Sequence, residues 1–523
     1  MIDVLFISPS NSQEVYQDLS ASYAAIEPPT WALLLAQAAR AKGHSVAILD
    51  TCAESLSDEE SFSRIEQLNP KLICFVVYGQ NVNAGVVSMS GAVRLSGYLK
   101  DKWNSLRPQS AQAPISYVGS YVQALPLKAL EEEPSIDFAF TNEGVKALLN
   151  VLSLDEINEE SLSTVKGIAL RKNNVPQFTP SESVVNNLDE DLPGYAWDLL
   201  PDLNLYRSPM WHAEYDEKAR TPYAAIQTSI GCRFNCGFCI INIINRNDEK
   251  ETGIAGDYSK MRYWSPEFII KEFDKLADLG IFTIKITDEL FLLNKNFYVP
   301  ICKMLSEKWY RDKLKLWVYS RVDTVSNPET LSLLRDAGVK YIALGIESSS
   351  RDIRLEISKG KFKDVKIKDV VAQIHEAGIE VMANYMFGLP GDTKETMQDT
   401  LDLSIELCTS GWNAYAAMAL PGSQLYADAL AKGHKLPKNY SGYSFHSYDS
   451  VCSQTDTLEP WQILKFRDEA FNKYHLNEKF LDRIKNKYGQ KQVDNIKEMC
   501  GIKLKRILVD EAVCRFEHDY LGD

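Results

Sequence analysis

The chain has 523 residues, enough for two to four domains with full cores, so its 10 cysteines are not needed as disulfide staples. Its formal net charge of −14 argues against nucleic acid as a partner, because binding to a phosphate backbone depends on lysine and arginine. The N-terminus lacks the pattern of a signal peptide and no run approaches about 18 apolar residues. We therefore expect a cytoplasmic protein with reduced thiols and no membrane span.

The first part of the chain alternates short apolar runs with helical patterns. Helices are predicted near 30–42 and 85–101. The predicted strands are VLFIS (4–8), SVAILD (45–50), LICFVVYG (72–79), ISYVGS (115–120) and IDFAFTNEG (136–144). Continuous apolar strands separated by helices indicate a parallel sheet that is covered on both faces. We predict a doubly wound, Rossmann-like α/β domain over residues 1–150.

Ligands of doubly wound sheets bind beyond the carboxyl ends of the strands, and here those ends carry small or polar residues. Such an edge has room for a large planar cofactor, although glycine and serine also serve there simply to form tight turns. No G-x-G-x-x-G follows the first strand, which disfavours a nicotinamide dinucleotide. The candidate ligand residues at this edge are Ser8, Tyr78, Gln80, Gly119, Ser120, Tyr121 and Glu143.

The rest of the chain divides into three predicted regions. Residues 151–220 form a connecting region with a hairpin in GIALRKNNVPQFTP, residues 221–420 a second α/β domain, and residues 421–523 a mainly helical extension. The predicted strands of the second domain are 223–229, 282–288, 314–320, 341–347, 380–388 and 413–420. Six strand–helix units suggest a partial (β/α)6 relative of the eight-stranded α/β barrel, with its chemistry at the C-terminal strand ends.

Three cysteines follow the first strand of this second domain in the sequence GCRFNCGFC. Cys232, Cys236 and Cys239 have the spacing C-x3-C-x2-C. Thiolates suit zinc, copper(I) and iron–sulfur clusters, but a structural zinc needs four ligands and no second C-x-x-C or histidine pair lies nearby. Three cysteines on a 4Fe-4S cluster leave one iron open to an external ligand. An open iron indicates a catalytic role for the cluster and not a structural one. We favour this open cluster over zinc or chance clustering.

The other cysteines are expected in the core: Cys52, Cys74, Cys302, Cys408, Cys452, Cys500 and Cys514.

This loop, with an aromatic residue before its third cysteine and a position after a barrel's first strand, resembles the radical S-adenosylmethionine (SAM) enzyme family. The resemblance implies that the three cysteines bind three irons and that SAM chelates the fourth. One electron from the reduced cluster then cleaves SAM to methionine and a 5′-deoxyadenosyl radical, which removes a hydrogen atom from an unactivated carbon.

The same resemblance implies which strand ends contact SAM. Phe238 is expected near the adenine, together with the segment from Met386 to Leu389 in YMFGLPGD. The remaining candidates are Thr287, Asp288 and Glu289 for the methionyl ammonium, Ser320 and Arg321 for the carboxylate or a ribose hydroxyl, and Glu347 for the ribose. For each of them an ordinary helix cap or a solvated strand end is the alternative.

The first domain, through AAIEPPTWALLLAQAARAKGHSVAILD, GSYVQALP and TNEG, resembles the cobalamin-binding domain of the cobalamin-dependent radical SAM subfamily. This resemblance assigns the candidate residues at the sheet edge to cobalamin. The D-x-H-x-x-G motif that supplies a lower axial histidine in many cobalamin methyltransferases is absent. We therefore expect no histidine ligand below the cobalt.

We predict a radical C-methyltransferase that acts on an unactivated carbon of a small molecule, with an external one-electron reductant such as flavodoxin or ferredoxin. A cyclase, ring-contraction or oxidation enzyme with the same cofactors is the first alternative. Methylthiolation of transfer RNA would call for a cysteine-bearing N-terminal cluster domain and a basic RNA-binding module, and a carrier role would leave the barrel strand ends unexplained. Two aromatic segments, 211–220 and 437–450, are expected to cover the barrel mouth, or else to be ordinary packing.

Overall fold

The structure, a computed structural model, describes residues 1–79, 81–325 and 327–512. The predictions for Gln80 and Cys514 lie outside these residues. Among the described helices, none combines the length and the hydropathy that crossing a membrane requires. Five of the other cysteines that were expected in the core are buried, and Cys52 is partly buried with its Sγ 3.3 Å from Ser12 Oγ.

The first sheet has seven strands in the order β2-β1-β3-β4-β5-β6-β7. Its strands are β1 (Ile2–Ser8), β2 (Val46–Asp50), β3 (Pro70–Val77), β4 (Ile115–Gly119), β5 (Phe138–Phe140), β6 (Ile168–Lys172) and β7 (Val175–Phe178). The first five are parallel, and β6 and β7 are the antiparallel hairpin of the connecting region. The predicted Rossmann-like fold is confirmed, and its sheet extends into residues 151–220.

Helices cover both faces of this sheet. They are α1 (Ser12–Tyr16), α2 (Leu19–Ser22), α3 (Thr30–Ala41), α4 (Asp58–Leu68), α5 (Gly85–Leu106), α6 (Ser120–Ala124), α7 (Pro126–Glu132), α8 (Val145–Leu152), α9 (Glu159–Leu162) and α10 (Leu188–Asp191). The alanine- and leucine-rich α3 follows two prolines and buries eight of its side chains, so it packs directly on the sheet. A capping box between Ser57 and Glu60 starts α4.

The second sheet has six parallel strands in the order β15-β14-β13-β12-β11-β8, and a separate antiparallel pair, β9 and β10, follows β8 in the chain. The strands are β8 (Tyr223–Ile226), β9 (Ser229–Cys232), β10 (Lys260–Tyr263), β11 (Thr283–Ile286), β12 (Lys315–Arg321), β13 (Val339–Glu347), β14 (Glu380–Phe387) and β15 (Gly411–Ala416). All six predicted strands are present, and the sheet curls into the predicted partial barrel. Its open edges are β8 and β15.

Helices alternate with these strands and continue into the C-terminal extension. They are α11 (Pro266–Asp278), α12 (Lys295–Ser306), α13 (Pro328–Asp336), α14 (Arg351–Ile357), α15 (Ile367–Glu376), α16 (Lys394–Leu407), α17 (Gln424–Lys432), α18 (Pro460–His475), α19 (Glu478–Tyr488) and α20 (Gln490–Gly501). The last three form the mainly helical end of the chain, and α18 packs against β15.

Two buried ion pairs join the first domain to the second. Glu27, which precedes α3, accepts from Lys285 Nζ at 3.0 Å through both carboxylate oxygens. Glu143, which follows β5, lies 2.6 Å from Arg262 Nη1 on β10. All four side chains are at most 4% exposed. Because an unpaired buried charge is costly, these pairs restrict how the first sheet sits on the barrel.

Candidate functional site

The three-cysteine loop, residues 231–239, is held by hydrogen bonds from both sides. The N–H of Cys232 donates to Asn242 Oδ1 at 2.7 Å, and the N–H of Gly237 donates to the Ile357 carbonyl at 2.9 Å. The backbone therefore sets the directions of the thiols before any metal binds.

Two of the predicted SAM-binding residues hold the strand that leads into this loop. The Asp288 carboxylate accepts from Thr228 N–H at 2.6 Å, from Thr228 Oγ1 at 2.7 Å and from Ser229 Oγ at 2.5 Å. The N–H and Oγ1 of Thr287 donate to the last carbonyl of β8 at 2.8 and 3.1 Å. Thr287 and Asp288 thus fix the turn between β8 and β9 and, through it, the position of Cys232.

Burial raises the pKa of all three thiols. The pKa of Cys232 is raised to about 12, that of Cys236 to about 11, and that of Cys239 lies well above its ordinary value. The nearby Glu289 carboxylate adds to the rise at Cys232 and Cys239, whereas the Arg321 guanidinium opposes it at Cys236. Thiols in such surroundings become ligands only when a metal replaces their protons.

The chemistry of the loop fits an iron–sulfur cluster. The Cys232 sulfur accepts from the Phe234 N–H at 3.4 Å, and the Cys239 sulfur accepts from Asn83 Nδ2 at 3.5 Å. Hydrogen bonds of this kind to cysteine sulfur are typical of protein-bound clusters. Within residues 1–79, 81–325 and 327–512, no group of three or more His, Cys, Asp or Glu side chains is placed to hold a single metal ion. The fit therefore rests on three soft donors supplied by one loop.

Asn83 was missed by sequence reasoning because it lies in the first domain, far along the chain from the cysteines. It follows β3, and besides donating to Cys239 it accepts from the Ile240 N–H at 2.8 Å. Only the packing of the two domains brings it to the loop.

We expect Asn83→Leu to lower the midpoint potential of the reconstituted cluster. An N–H donor stabilises the more negative, reduced cluster. A hydrogen bond worth about 0.5–1.5 kcal/mol corresponds to about 20–60 mV for one electron. A redox titration followed by electron paramagnetic resonance measures the shift, with the exposed Asn104→Leu as the control in the same domain. Equal potentials in both variants and the wild type would show that the hydrogen bond does not influence the cluster.

Two acidic residues, Glu289 and Glu347, lie near enough to this loop to raise the pKa of its thiols. Burial raises the pKa of each to about 7. The Glu289 carboxylate adds to the rise at Glu347, and the Glu347 carboxylate adds to the rise at Cys236. Glu347 adopts the left-handed conformation, with φ of 64°, at an irregularity in the pairing of β13 with β14. A Cβ on Gly345 would lie 2.7 Å from Glu347 Oε1. The strained backbone and the glycine together place this carboxylate at the strand end.

The raised pKa of Glu347 predicts a pH dependence for the cluster-free protein. The folded state holds this proton more tightly than the unfolded chain, so the stability it contributes is complete below about pH 4.5 and is lost as the pH rises through about 7. Urea unfolding should therefore show a smaller loss of stability between pH 5 and 7.5 in Glu347→Gln than in the wild type, by on the order of 1–3 kcal/mol. The exposed Glu376→Gln is the control and should follow the wild type. If Glu347→Gln loses as much stability between pH 5 and 7.5 as the wild type does, the raised pKa of Glu347 would be contradicted.

Arg321 and Ser320 end β12 and are tied to neighbouring groups. Arg321 donates to both oxygens of Asp323 at 2.5 and 2.7 Å, and its guanidinium lies 3.9 Å from the ring centroid of Phe234 in the three-cysteine loop. Its Nη1 is buried without a hydrogen-bond partner among the described residues. Ser320 Oγ lies 2.9 Å from Thr324 Oγ1. The free Nη1 leaves Arg321 one donor for a ligand.

The structure brings three of the predicted adenine-facing residues into one apolar group. Met386 and Leu389 are buried together, and Phe238 packs against them. The other members of the group are Ile353, Ile357, Ala417 and Tyr415. An apolar group therefore lies beside the third cysteine, because Phe238 directly precedes Cys239 in the chain.

The interior of the barrel carries polar residues that the sequence analysis did not single out. Lys285 lies 4.8 Å from the ring centroid of Trp317 and 5.7 Å from that of Tyr319. Asn384 lies on the same face of β14 as the interior Met382, because side chains of a strand alternate. The two-residue period of these strands was the signal that could have found them.

At the ligand edge of the first sheet the predicted residues are buried. Tyr121 donates to Glu132 at 3.3 Å, and the Tyr78 hydroxyl accepts from the Gln123 amide. Ser120 Oγ and Gln123 Oε1 are buried without a hydrogen-bond partner among the described residues. Such unpaired polar atoms are costly unless a ligand or water completes them.

The other residues proposed for this edge have mainly backbone or structural roles in the described chain. A Cβ on Gly119 would lie 2.2 Å from the Val77 carbonyl oxygen, so only glycine fits this strand end. The Ser8 carbonyl accepts from the Thr51 N–H at 3.1 Å. Glu143, besides its ion pair with the barrel, accepts from the Val185 N–H at 2.5 Å. A cavity of about 20 Å³ lies between this edge and the barrel, lined among others by Trp31, Tyr78, Gln227 and Thr287.

The two aromatic segments differ in position. In segment 437–450, Tyr440 donates to Glu133 at 2.7 Å, and the ring of Phe445 packs on Tyr415 near the carboxyl end of β15. This segment bridges the first domain and the barrel mouth, and its contact with substrate stays a prediction.

Segment 211–220 lies at the opposite end of the barrel from the mouth. The Trp211 ring contacts Trp317 and Tyr341 near the amino ends of β12 and β13, and His212 hydrogen-bonds the Lys315 carbonyl at 2.9 Å. The prediction that this segment covers the mouth is wrong, because its aromatic side chains close the amino end of the barrel instead.

Comparisons with known proteins agree with this arrangement. The radical SAM superfamily matches residues 226–404. An uncharacterized methyltransferase of Pyrococcus horikoshii is 25% identical over 458 residues, which are 87% of this chain and 89% of the relative. Anaerobic magnesium-protoporphyrin IX monomethyl ester cyclase of Rubrivivax gelatinosus is 22% identical over 510 residues, 93% of this chain and 80% of the cyclase.

Two solved structures share the fold over nearly the whole chain. The radical SAM methyltransferase TsrM from Kitasatospora setae, with tryptophan substrate and a SAM analog bound, has a TM-score of 0.62 at 15% identity and covers 99% of this chain and 100% of its own. The cobalamin-dependent SAM radical enzyme OxsB, with aqua-cobalamin and SAM bound, has a TM-score of 0.65 at 13% identity over 95% of this chain and 70% of OxsB. Residues 226–404 therefore form a radical SAM domain, and the chain shares its overall fold with TsrM and OxsB.

Proposed function

We propose that the protein is a cobalamin-dependent radical SAM methyltransferase that transfers a methyl group to an unactivated carbon of a small molecule. The contact between Asn83 and Cys239 carries this proposal. It brings the ligand edge of the first sheet against the three-cysteine loop, so groups bound at the two sites would face each other. Such proximity is what transfer between two bound groups needs.

In this proposal Cys232, Cys236 and Cys239 hold a 4Fe-4S cluster. The cluster and SAM supply a 5′-deoxyadenosyl radical when bound, and cobalamin supplies the methyl group. Glu289 accepts hydrogen bonds from the methionyl ammonium and Glu347 from the ribose. Both residues are half-buried beside the loop, where hydrogen bonds are stronger than in bulk water.

The remaining candidates orient and shield SAM and the substrate. The free Nη1 of Arg321 donates to the SAM carboxylate, and the apolar group around Phe238 and Met386 packs against the adenine. Segment 437–450 excludes water from the mouth, since it bridges the two domains there. The interior Asn384 is available to a polar group of the substrate.

For cobalamin we propose the edge residues Ser8, Tyr78, Gly119, Ser120, Tyr121 and Glu143. The unpaired Ser120 Oγ and Gln123 Oε1 support a polar ligand at this edge. We also retain the expectations that no histidine ligates the cobalt from below and that the protein acts in the cytoplasm, with electrons from an external reductant. The proposed domains are residues 1–150, 151–220, 221–420 and 421–523.

A methyl transfer is favoured by the names of the Pyrococcus relative and of TsrM. The cyclase match, which extends over 93% of this chain, supports the second candidate, a cobalamin-dependent radical enzyme that catalyses cyclisation, ring contraction or oxidation without net methyl transfer. The two candidates share the cofactors and differ in whether a methyl group leaves the cobalamin for carbon.

The test uses anaerobically reconstituted protein with cobalamin, a reductant and SAM labelled in its methyl group. We expect retained corrinoid, labelled methylcobalamin and release of 5′-deoxyadenosine. With a candidate substrate, the methyltransferase adds the labelled methyl and a mass of one CH₂ to the product. Release of 5′-deoxyadenosine and an unlabelled product would favour the second candidate, and protein that holds no corrinoid would exclude both.

A further inference from the structure

An open groove of about 580 Å³ lies beside the three-cysteine loop. Its lining includes the exposed cationic residues Arg233, Lys260 and Lys295, together with Tyr263 and Asn294. No acidic side chain is found among the described residues that line it. The chain as a whole has a formal net charge of −14, so this groove has the opposite sign to the average surface.

The groove lies within one residue of a cluster ligand. Arg233 directly follows Cys232 in the chain, and Lys260 is the Cα partner of Cys232 in the ladder between β9 and β10. Partners in an antiparallel pair have their Cα atoms about 4.5–5.5 Å apart. One wall of the groove is therefore the same short hairpin that carries the first cysteine.

The positive charges of the groove are available to a partner. Lys260 donates to the Asn186 side chain at 2.9 Å, which leaves its charge unneutralised. Within the part of the chain that the structure describes, none of Arg233, Lys260 and Lys295 forms an ion pair with a carboxylate, although many other lysines and arginines of this protein do. A cleft with one sign of charge attracts a partner of the other sign and speeds its encounter.

We propose that this groove is the docking surface for an acidic protein that donates single electrons to the cluster. The proposal rests on the proposed function, because only a redox cluster held by the neighbouring loop needs such a donor. In the step it serves, one electron leaves the donor protein and is gained by the cluster. No bond forms or breaks in that step and no proton moves.

The experiment compares a charge-reversed groove with charge reversal elsewhere. The groove variant is Arg233→Glu/Lys260→Glu/Lys295→Glu in the reconstituted holoenzyme. The control variant reverses three exposed lysines on the helices that follow β15, near the other edge of the second sheet, where Lys465, Lys485 and Lys497 are each replaced by Glu. Both variants change the net charge equally, so any effect of overall charge is shared.

Two reductants are used as probes. The first is an acidic flavodoxin in its fully reduced form, mixed with holoenzyme in a stopped-flow instrument at low and high salt. The second is photoreduced deazariboflavin, a small uncharged donor that needs no docking surface. The affinity of the oxidised flavodoxin for each variant, measured by calorimetry, gives a readout that is independent of enzyme activity.

We expect the groove variant to lose about 10- to 100-fold in the rate of reduction by flavodoxin at low salt, and to lose flavodoxin binding in parallel. The wild-type rate should fall with added salt, whereas reduction by deazariboflavin and iron content stay unchanged. The control variant should behave as the wild type. An equal slowing in the control, or an equal slowing with deazariboflavin, would overturn the proposal.

Two further outcomes distinguish a failure of the docking proposal from a failure of the proposed function. Unchanged flavodoxin kinetics with weakened SAM binding in the groove variant would make the groove an entrance for SAM and overturn the docking proposal alone. Wild-type protein in which deazariboflavin produces no reduced-cluster signal would overturn the proposed function, and the docking proposal would fall with it.

Discussion

Replacing Cys232, Cys236 or Cys239 by alanine is expected to remove the cluster and with it the cleavage of SAM. Each variant removes one of the three thiols that the proposed cluster takes from this loop. We expect formation of 5′-deoxyadenosine to fall more than about 1,000-fold, since the cluster is the group that passes the electron to SAM. Iron and sulfide analysis, the visible absorbance and chromatography of 5′-deoxyadenosine measure the loss.

The matched control for these variants is Cys302→Ala. Cys302 is buried in α12, and burial raises its pKa to about 12. It therefore resembles the loop cysteines in burial and pKa, but it lies outside the three-cysteine loop. It should keep its iron and its SAM cleavage. If a loop variant retained a full 4Fe-4S signal, or if wild-type protein bound zinc in place of iron, the cluster assignment would be wrong.

The second large effect is expected on stability, from the ion pair between Glu143 and Arg262. Arg262 also donates to the Val185 carbonyl and to Asn245 Oδ1, each at 2.7 Å, so its charge is fully enclosed. Glu143→Ala leaves that charge buried and unpaired. We expect the free energy of unfolding to fall by about 3–5 kcal/mol in chemical denaturation.

Two comparisons make this prediction specific. The double variant Glu143→Leu/Arg262→Met replaces the pair by apolar groups and should regain most of the stability. Removing the exposed pair of Lys368 and Glu406 should cost less than about 1 kcal/mol. A small effect of Glu143→Ala would show that the pair does not hold the domains together.

Glu143→Ala also tests the prediction, made from the sequence, that Glu143 contacts cobalamin. If it does, Glu143→Ala loses corrinoid at temperatures where the protein is still folded, and the apolar double variant does not recover it. If the role is structural, corrinoid retention follows stability in both variants. Arg262 lies opposite Ile230 on β9, so loosening this pair should also make the three-cysteine loop lose iron faster.

The sequence predicted the elements best where the physical signal is local. The apolar runs of the two parallel sheets were visible because a buried strand must be apolar over its whole length. The fifth predicted strand, 136–144, is only three residues long in the structure, since the polar TNEG that follows turns away from the sheet. The hairpin of the connecting region was predicted, but its addition to the edge of the first sheet depends on pairing between distant segments.

The candidate site shows the same division. The spacing of the cysteines was enough to predict them as cluster ligands, because all three come from one short loop. Thr287 and Asp288 were predicted to bind SAM, and in the structure their hydrogen bonds hold the turn before Cys232. A carboxylate at a strand end looks the same in the sequence whether it meets a ligand or a neighbouring hydroxyl, so the sequence could not distinguish the two.

The sequence alone predicted the two α/β domains, the three-cysteine loop and its resemblance to the radical SAM family, because each depends on residues that are close along the chain. Only the tertiary structure decided that Asn83 reaches Cys239, that Glu27 and Lys285 pair inside the barrel, and that Trp211 closes its amino end. These contacts join segments separated by up to about 260 residues. No local pattern encodes such contacts, since they arise from how the domains pack.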